Sequence, residues 1–212
     1  MLKNIFKKEK GITGLETAII LIAFVVVAAV FAYTALSAGL FSTQKAQEAV
    51  YSGLKEAQST LELKGAVIAT ANTTGDQGDN ADIAQISFVV SNVLGGEPID
   101  FTEPTSGTAG VATGDNKVVI NYIDSAQEVD NLYWTLTKIG NDDGDSLLEV
   151  GEKFQVNVGD VDGGANGNLV QALTTPLGVN DTFNLIVLTP AGAVLTIERT
   201  IPAYIDQIIN LR

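Results

Sequence analysis

The sequence predicts an α+β protein in which one long N-terminal helix is followed by an antiparallel β-sandwich. Two observations in the 212-residue chain support this prediction. From Thr17 to Gln44 no side chain is charged, which predicts a helix that is apolar on every side. After residue 65, short β-branched and aromatic segments alternate with clusters of Gly, Asn, Asp and Pro, a pattern typical of a sandwich of short strands.

An amphipathic pattern extends the predicted helix beyond Gln44, because apolar residues recur there at steps of three and four. They are Ala46, Ala49, Val50, Leu54, Ala57 and Leu61. We therefore predict one unbroken helix from Ile12 to Lys64, roughly 75 Å long, with Gly65 as its C-terminal stop. One small domain cannot bury a helix of this length, so its apolar first half requires lipid or other helices.

Charge divides the chain sharply after residue 11. Residues 1–11 hold four Lys and one Glu, a net charge of +3, and the remaining residues hold eight basic and twenty-four acidic side chains, a net charge of −16. Basic residues before an apolar run predict that the N-terminus stays inside the cell and that the rest of the chain is exported. Because an acidic surface repels phosphate groups, we expect no nucleic-acid partner.

The chain contains neither Cys nor His. This composition excludes disulfides, thiolate ligands, imidazole ligands and catalysis by Ser-His-Asp or Cys-His groups. Carboxylates remain, and no pair of them stands out in the sequence. We therefore predict a protein that is not an enzyme and needs no cofactor, with a membrane-anchored surface hydrolase as the more distant alternative.

Three fates of the apolar segment fit its length. It could be a permanent single-pass anchor, a secretory signal peptide cleaved after Ser37, or a helix kept after a cut nearer the N-terminus. The secretory alternative is disfavoured because the region before the apolar run is long and contains Glu16.

Residues 7–16, KKEKGITGLE, resemble the class III signal sequence of archaeal flagellins (archaellins) and type IV pilins. The resemblance implies that a class III signal peptidase removes residues 1–11 by cutting between Gly11 and Ile12. Glu16 would then be the fifth residue of the processed chain. Either Glu16 simply marks where the helix begins, or it pairs with an amino terminus and sets axial register during assembly.

Three further segments resemble the archaellin family: residues 41–45 (FSTQK), 148–154 (LEVGEKF) and 192–202 (GAVLTIERTIP). The resemblance implies that residues 12–64 form a filament core and that residues 65–212 form an immunoglobulin-like outer domain. It also implies a subunit of a rotated extracellular swimming filament, inserted first in the cytoplasmic membrane. Its partners would be copies of itself, related isoforms, and the motor with its membrane platform. An adhesive pilin, which shares the signal and the helix, is the nearest alternative.

Seven strands are predicted after residue 65, with weaker signals near Leu169 and Tyr204. They span residues 66–70, 84–93, 117–123, 132–139, 153–158, 182–189 and 193–200. Pro190 and Gly192 predict a hairpin turn between the last two strands. Trp134 lies in an alternating strand and is predicted to be a core residue.

Residues 141–152 place oxygen ligands at loop positions 1, 3, 5 and 12, the spacing that surrounds a calcium ion. Asp143, Asp145 and Glu152 are the candidate ligands for a structural Ca²⁺. Ser146 occupies the position where such a loop requires Gly, so a turn with solvated acids is the alternative.

Asn72 and Asn180 each begin a sequence that fits the N-glycosylation acceptor pattern, namely Asn72-Thr73-Thr74 and Asn180-Asp181-Thr182. Both lie in predicted loops of the exported part, so both are candidate glycan sites.

Overall fold

The computed structural model describes residues 14–58, 60–72, 78, 81–93 and 96–211. Helix α1 (Gly14–Gln58) leads into strands, and a short helix α2 (Leu169–Ala172) lies between two of them. The chain divides into two compact units, Met1–Ser52 and Gly53–Arg212. The predicted α+β class is confirmed.

Helix α1 is 45 residues long and contains the whole uncharged run predicted to be helical. Residues 14–57 are all exposed. Among the described residues, Gly14–Ala57 is long enough and apolar enough to cross a membrane. Ile12, the predicted first helical residue, lies outside the described residues.

Helix α1 ends at Gln58, so the prediction that it continues to Lys64 is wrong. The segment that follows pairs as a strand, with Leu61 opposite Asn92 and Leu63 opposite Val90. Leu61 is buried in the hydrophobic core, and the alternation of Leu61 and Leu63 suits a strand as well as a helix. Gly65, the predicted helix stop, instead lies in a strand bulge with φ of 80°.

The strands form two main antiparallel sheets. One has the order β13-β1-β2-β10-β8 and the other the order β12-β11-β6-β7, while β3 pairs with β9 and β4 with β5. The bounds are β1 (Leu61–Ala71), β2 (Ile83–Asn92), β3 (Ile99–Asp100), β4 (Ser106–Thr108), β5 (Val111–Thr113), β6 (Val119–Asp124), β7 (Glu128–Val129), β8 (Trp134–Ile139), β9 (Leu147–Leu148), β10 (Lys153–Val158), β11 (Thr182–Leu188), β12 (Val194–Thr200) and β13 (Ile208–Leu211).

All seven strongly predicted strands are present. The two weaker signals, near Leu169 and Tyr204, do not correspond to strands. Leu169 begins helix α2, because Asn168 caps it. The side chain of Asn168 accepts a hydrogen bond from the backbone amide of Gln171 at 3.1 Å, and the side chain of Gln171 accepts one from the backbone amide of Asn168. Near Tyr204 only Ile205 forms an isolated bridge, and the C-terminal strand begins later, at Ile208.

The core lies between the inner faces of the two sheets. Trp134 is fully buried, as predicted, and its Nε1 donates a hydrogen bond to the Val118 carbonyl at 3.3 Å. Phe101 packs edge to face on Trp134 and on Phe154, with ring centroids 6.0 and 5.9 Å apart. The Gly53–Arg212 unit therefore has a hydrophobic core of its own.

Candidate assembly helix and surface sites

The first candidate site is the apolar surface of helix α1. Phe24, Phe31 and Leu36 are 72%, 71% and 73% exposed. Within the described part of the chain, nothing buries this surface, and each Å² of apolar area left in water costs about 25 cal/mol. A helix with this surface requires lipid or other protein chains around it.

Glu16 lies in the first turn of α1 and is exposed. The positive end of the helix dipole stabilises a carboxylate at this position, which lowers the cost of placing an acid at the head of an apolar helix. Gly11 and Ile12, the predicted cleavage pair, lie outside the described residues. The structure therefore positions the predicted assembly residue at the helix start and leaves the cleavage prediction untested.

An ion pair lies where α1 ends and the sandwich begins. Lys55 Nζ is 3.4 Å from Glu97 Oε2, and both side chains are at least half exposed. Such an exposed pair contributes little to stability, typically less than about 1 kcal/mol. A cleft beside it is lined by Pro98, Ile99 and Pro190, among others. This lining contains one Lys and two acids.

The predicted calcium loop folds as a series of turns closed by its own side chains. Asp143 Oδ1 accepts a hydrogen bond from the Asp145 amide at 3.2 Å, and Asp145 Oδ1 accepts one from the Leu147 amide at 2.7 Å. Glu152, which is buried, accepts one from the Glu149 amide at 3.0 Å. Among the described residues no three acidic side chains are grouped so that they could hold a metal ion. Asp143, Asp145 and Glu152 are thus not brought together as ligands, and the calcium prediction rests on sequence spacing alone.

Asn180 lies in the turn that precedes β11. Its φ is 62°, a left-handed conformation that Asn tolerates, and its backbone amide donates a hydrogen bond to the Ile201 carbonyl at 3.1 Å. Asn180, the acceptor residue, and Thr182, the third residue of the motif, are both exposed. This arrangement leaves the motif open to a modifying enzyme.

Asn72 follows β1 directly, and its backbone amide donates a hydrogen bond to the backbone carbonyl of Asp82 at 2.9 Å. Thr73 and Thr74, the rest of its glycosylation motif, lie outside the described residues. The geometry of this motif is therefore untested.

A polar cluster around Asp124 has no signal in the sequence, since an Asp near a turn is too common to single out. Tyr122 Oη donates to Asp124 Oδ2 at 2.9 Å, and the amides of Ala126 and Gln127 donate to Asp124 Oδ1. Gln127 Nε2 also donates to the Thr175 carbonyl at 2.6 Å. The cluster fastens the end of β6 to the loop after α2, which is a structural role.

Burial and hydrogen bonding act on both acidic groups of this pair. Desolvation, followed by the hydrogen bond to Asp124, raises the pKa of Tyr122. Desolvation alone would raise the pKa of Asp124 as well, but the hydrogen bonds from Gln127, Ala126 and Tyr122 outweigh it and lower that pKa.

Comparison with known proteins identifies archaeal flagellins as relatives of the chain. Residues 11–199 match the family model described as archaeal-type flagellin. "Probable flagellin 1" of Archaeoglobus fulgidus is 38% identical over 210 residues, which cover 97% of this chain and 96% of that protein. "Probable flagellin 1" of Aeropyrum pernix is 35% identical over 93% of this chain and 94% of that protein.

A solved structure of the archaeal flagellum of Methanospirillum hungatei strain JF1 shares the fold. The match covers 94% of this chain and 99% of that chain, with 28% identity and a TM-score of 0.64. The similarity therefore extends over both the long helix and the sandwich.

Proposed function

The chain belongs to the archaeal-type flagellin family and is a structural subunit of the extracellular archaeal flagellum filament, and we propose that copies polymerise through helix α1 after residues 1–11 are removed. The observation that supports this mechanism is the contrast between the two units. Helix α1 exposes every residue from 14 to 57, whereas the sandwich has a complete core of its own.

We propose that α1 occupies two environments in succession. Its uncharged length first crosses the cytoplasmic membrane and later packs against the same helix of other copies. Small residues along the run allow apolar helices to approach closely. They are Ala23, Ala28, Ala29, Ala32, Ala35, Ala38 and Gly39. Because lipid is exchanged directly for protein, little apolar surface meets water during growth of the polymer.

Processing by a class III signal peptidase is part of the proposal. The basic stretch, Gly11 and the acid at Glu16 match the order that such a signal requires, and the family match begins at residue 11. Removal of residues 1–11 takes away four Lys and one Glu, so the new amino terminus enters the filament without the basic segment that held it inside the cell.

The remaining partners follow from membership of the filament. We propose that the chain meets the motor and its membrane platform during assembly and rotation, and that related isoforms can share the polymer. The adhesive pilin alternative is not favoured, because the family match continues through the sandwich to residue 199. No enzymatic role is proposed, because the chain belongs to a family of structural filament subunits.

N-terminal sequencing of the chain from purified, sheared filaments tests the mechanism. We expect the sequence to begin at Ile12. A chain that begins at Met1 would be an anchored protein, and one that begins at Ala38 would have lost most of the apolar helix. Either of these results would contradict polymerisation through α1.

A further inference from the structure

One face of the sandwich is almost free of acidic residues. Alternate residues of β1, β2, β8, β10 and β13 point away from the core, and the strand registers place them in shared rows. Ile68 lies opposite Ser87, and Ser87 lies opposite Asn157. We call the outward surface of these five strands the acid-poor face.

The charges of this face differ from those of the rest of the domain. Among its described outward residues the one acid is Glu62, and its Oε1 lies 2.7 Å from Lys64 Nζ. Lys153 adds a second positive charge, so two Lys against one Glu give a net charge of +1. By contrast, residues 65–212 hold five basic and twenty acidic side chains, a net charge of −15.

The outward surface of the other sheet provides a comparison. Its outward residues include Glu128 and Glu198 and, within the described strands, no basic residue, so its net charge is −2. Two copies of such an acidic domain repel each other wherever acidic surfaces meet. The acid-poor face is where a second copy can approach with attraction.

Exposed apolar side chains also favour this face as a contact surface. Ile208, Ile68 and Ile139 are 67%, 39% and 36% exposed, although all three are large and apolar. On the outward surface of the other sheet, Val194 alone among the described residues reaches comparable exposure, at 55%. Covering these isoleucines removes apolar area from water.

The polar residues in the middle of the face already satisfy one another. Asn157 Oδ1 accepts hydrogen bonds from Ser87 Oγ and Gln155 Nε2, each at 2.8 Å, and Asn157 Nδ2 donates to Thr137 Oγ1 at 3.2 Å. A partner can cover groups paired in this way without leaving them unsatisfied, which is the main cost of burying polar atoms. The network also holds the side chains in place before binding.

We propose that the acid-poor face is a contact surface between outer domains of the filament, on which the acidic loops of a second copy dock. This inference rests on the proposed function, because it takes the occupant to be another subunit. The net charge of +1 complements the acidic surface of a copy, while the isoleucines and the neutral polar network supply the contact area. An anionic lipid surface or a nucleic acid is disfavoured as the partner. Glu62 offsets the charge of Lys64, so Lys153 is the one positive charge of the face left to bind an anion.

Cysteine protection in intact filaments tests the proposal, since the natural chain has no Cys. Thr137→Cys places a thiol on the acid-poor face, and Thr196→Cys places one on the outward surface of the other sheet. The two threonines are matched, because both are exposed and both lie in edge strands. Ile208→Cys is a second probe on the acid-poor face, and Ser42→Cys reports on helix α1.

Each full-length variant is labelled with a maleimide in filaments and again after the filaments are dissociated. We expect labelling of Thr137→Cys and Ile208→Cys to be at least tenfold slower in filaments, and labelling of Thr196→Cys to change less than twofold. Equal rates for Thr137→Cys and Thr196→Cys, whether both fast or both slow, would overturn the inference. Ser42→Cys separates the two proposals. Fast labelling of Ser42→Cys in filaments would contradict polymerisation through α1. If Ser42→Cys were protected while Thr137→Cys was labelled fast, only the proposal about the acid-poor face would be overturned.

Discussion

Tyr122 Oη donates a hydrogen bond to Asp124 Oδ2 at 2.9 Å, and this pair anchors the end of β6. The tyrosine ring is fully buried and stacks on Phe183, with centroids 6.2 Å apart. The carboxylate also accepts hydrogen bonds from two backbone amides of the following turn. One acid therefore links the hydrophobic core to a surface turn.

Tyr122→Phe removes one donor to Asp124 and keeps the ring, so we expect it to lower the free energy of unfolding by about 1 kcal/mol at neutral pH. The pKa of Asp124 is lowered in the folded state, so the stability linked to this carboxylate is present above its ordinary value of 3.8 and is lost as the pH falls through the folded value. The difference between the variant and the natural chain should shrink over that acidic range. Thermal unfolding of the full-length chain in detergent at neutral and acidic pH measures both effects.

Tyr204→Phe is the control for this prediction, because Tyr204 is 54% exposed. It should leave the melting temperature unchanged at every pH. A Tyr122→Phe variant as stable as the natural chain at neutral pH would show that the hydrogen bond to Asp124 contributes nothing.

The sequence predicts strands well where burial alternates along the chain. The predicted bounds of Lys153–Val158 match the observed ones, because Phe154, Val156 and Val158 face the core and polar residues lie between them. The short strands β3, β4, β5, β7 and β9 gave no such signal, since two or three residues cannot establish a period.

The errors have a common physical cause, which is that tertiary contacts decide between two locally compatible structures. Leu61 continues the helical spacing of α1, yet pairing with Asn92 makes it the first residue of a strand. Spacing along the chain does not reveal such competition.

Gly110 tests how tightly the loops pack on the sandwich. Its φ is 79°, and a Cβ there would collide with the Asn168 carbonyl oxygen and with Ala172. We expect Gly110→Ala to lower the free energy of unfolding by about 2–4 kcal/mol, because backbone strain and overpacking add. Thermal unfolding of the full-length variant measures the loss.

Gly140→Ala is the matched control, because Gly140 has φ of 89° and, among the described residues other than its two chain neighbours, no atom lies within 4 Å of the place that a Cβ would occupy. Strain alone acts at this position, so we expect a loss of about 1–2 kcal/mol. If both variants lost the same stability, the collision at Gly110 would be relieved by movement of the loop.

The acidic loop gives opposite expectations for a calcium site and for a self-closed turn. Since the side chains of Asp143, Asp145 and Glu152 accept hydrogen bonds from the loop itself, we expect the melting temperature of the full-length chain to be the same with calcium and with a chelator. A higher melting temperature in calcium, abolished by Asp145→Asn, would instead support the calcium prediction. The Asn side chain keeps an acceptor for the Leu147 amide, so this variant changes the charge and preserves the turn.

Asn180 is expected to carry a glycan, because its motif lies in a turn and Thr182 is exposed. Intact mass measurement of the filament subunit should show a loss of one glycan in Asn180→Gln. Asn184→Gln is the control, since Asn184 lies nearby in β11 outside any acceptor motif. An unchanged glycan mass in Asn180→Gln would exclude this position, and the same experiment on Asn72→Gln tests the other motif.

Glu16 has two candidate roles, pairing with an amino terminus during assembly and marking the start of the helix, and a charge-removing substitution separates them. If its carboxylate pairs with an amino terminus in the polymer, Glu16→Gln should be cut after Gly11 as usual and should enter filaments at least tenfold more slowly, a difference of about 1.4 kcal/mol. Glu128→Gln is the control, because Glu128 is an exposed acid outside the helix that is proposed to polymerise, so loss of its charge should leave assembly unchanged. N-terminal sequencing verifies processing, and the rate of filament growth after shearing measures assembly. A Glu16→Gln subunit that is processed and grows filaments at the natural rate would leave Glu16 only the role of marking the start of the helix, where the helix dipole stabilises its charge.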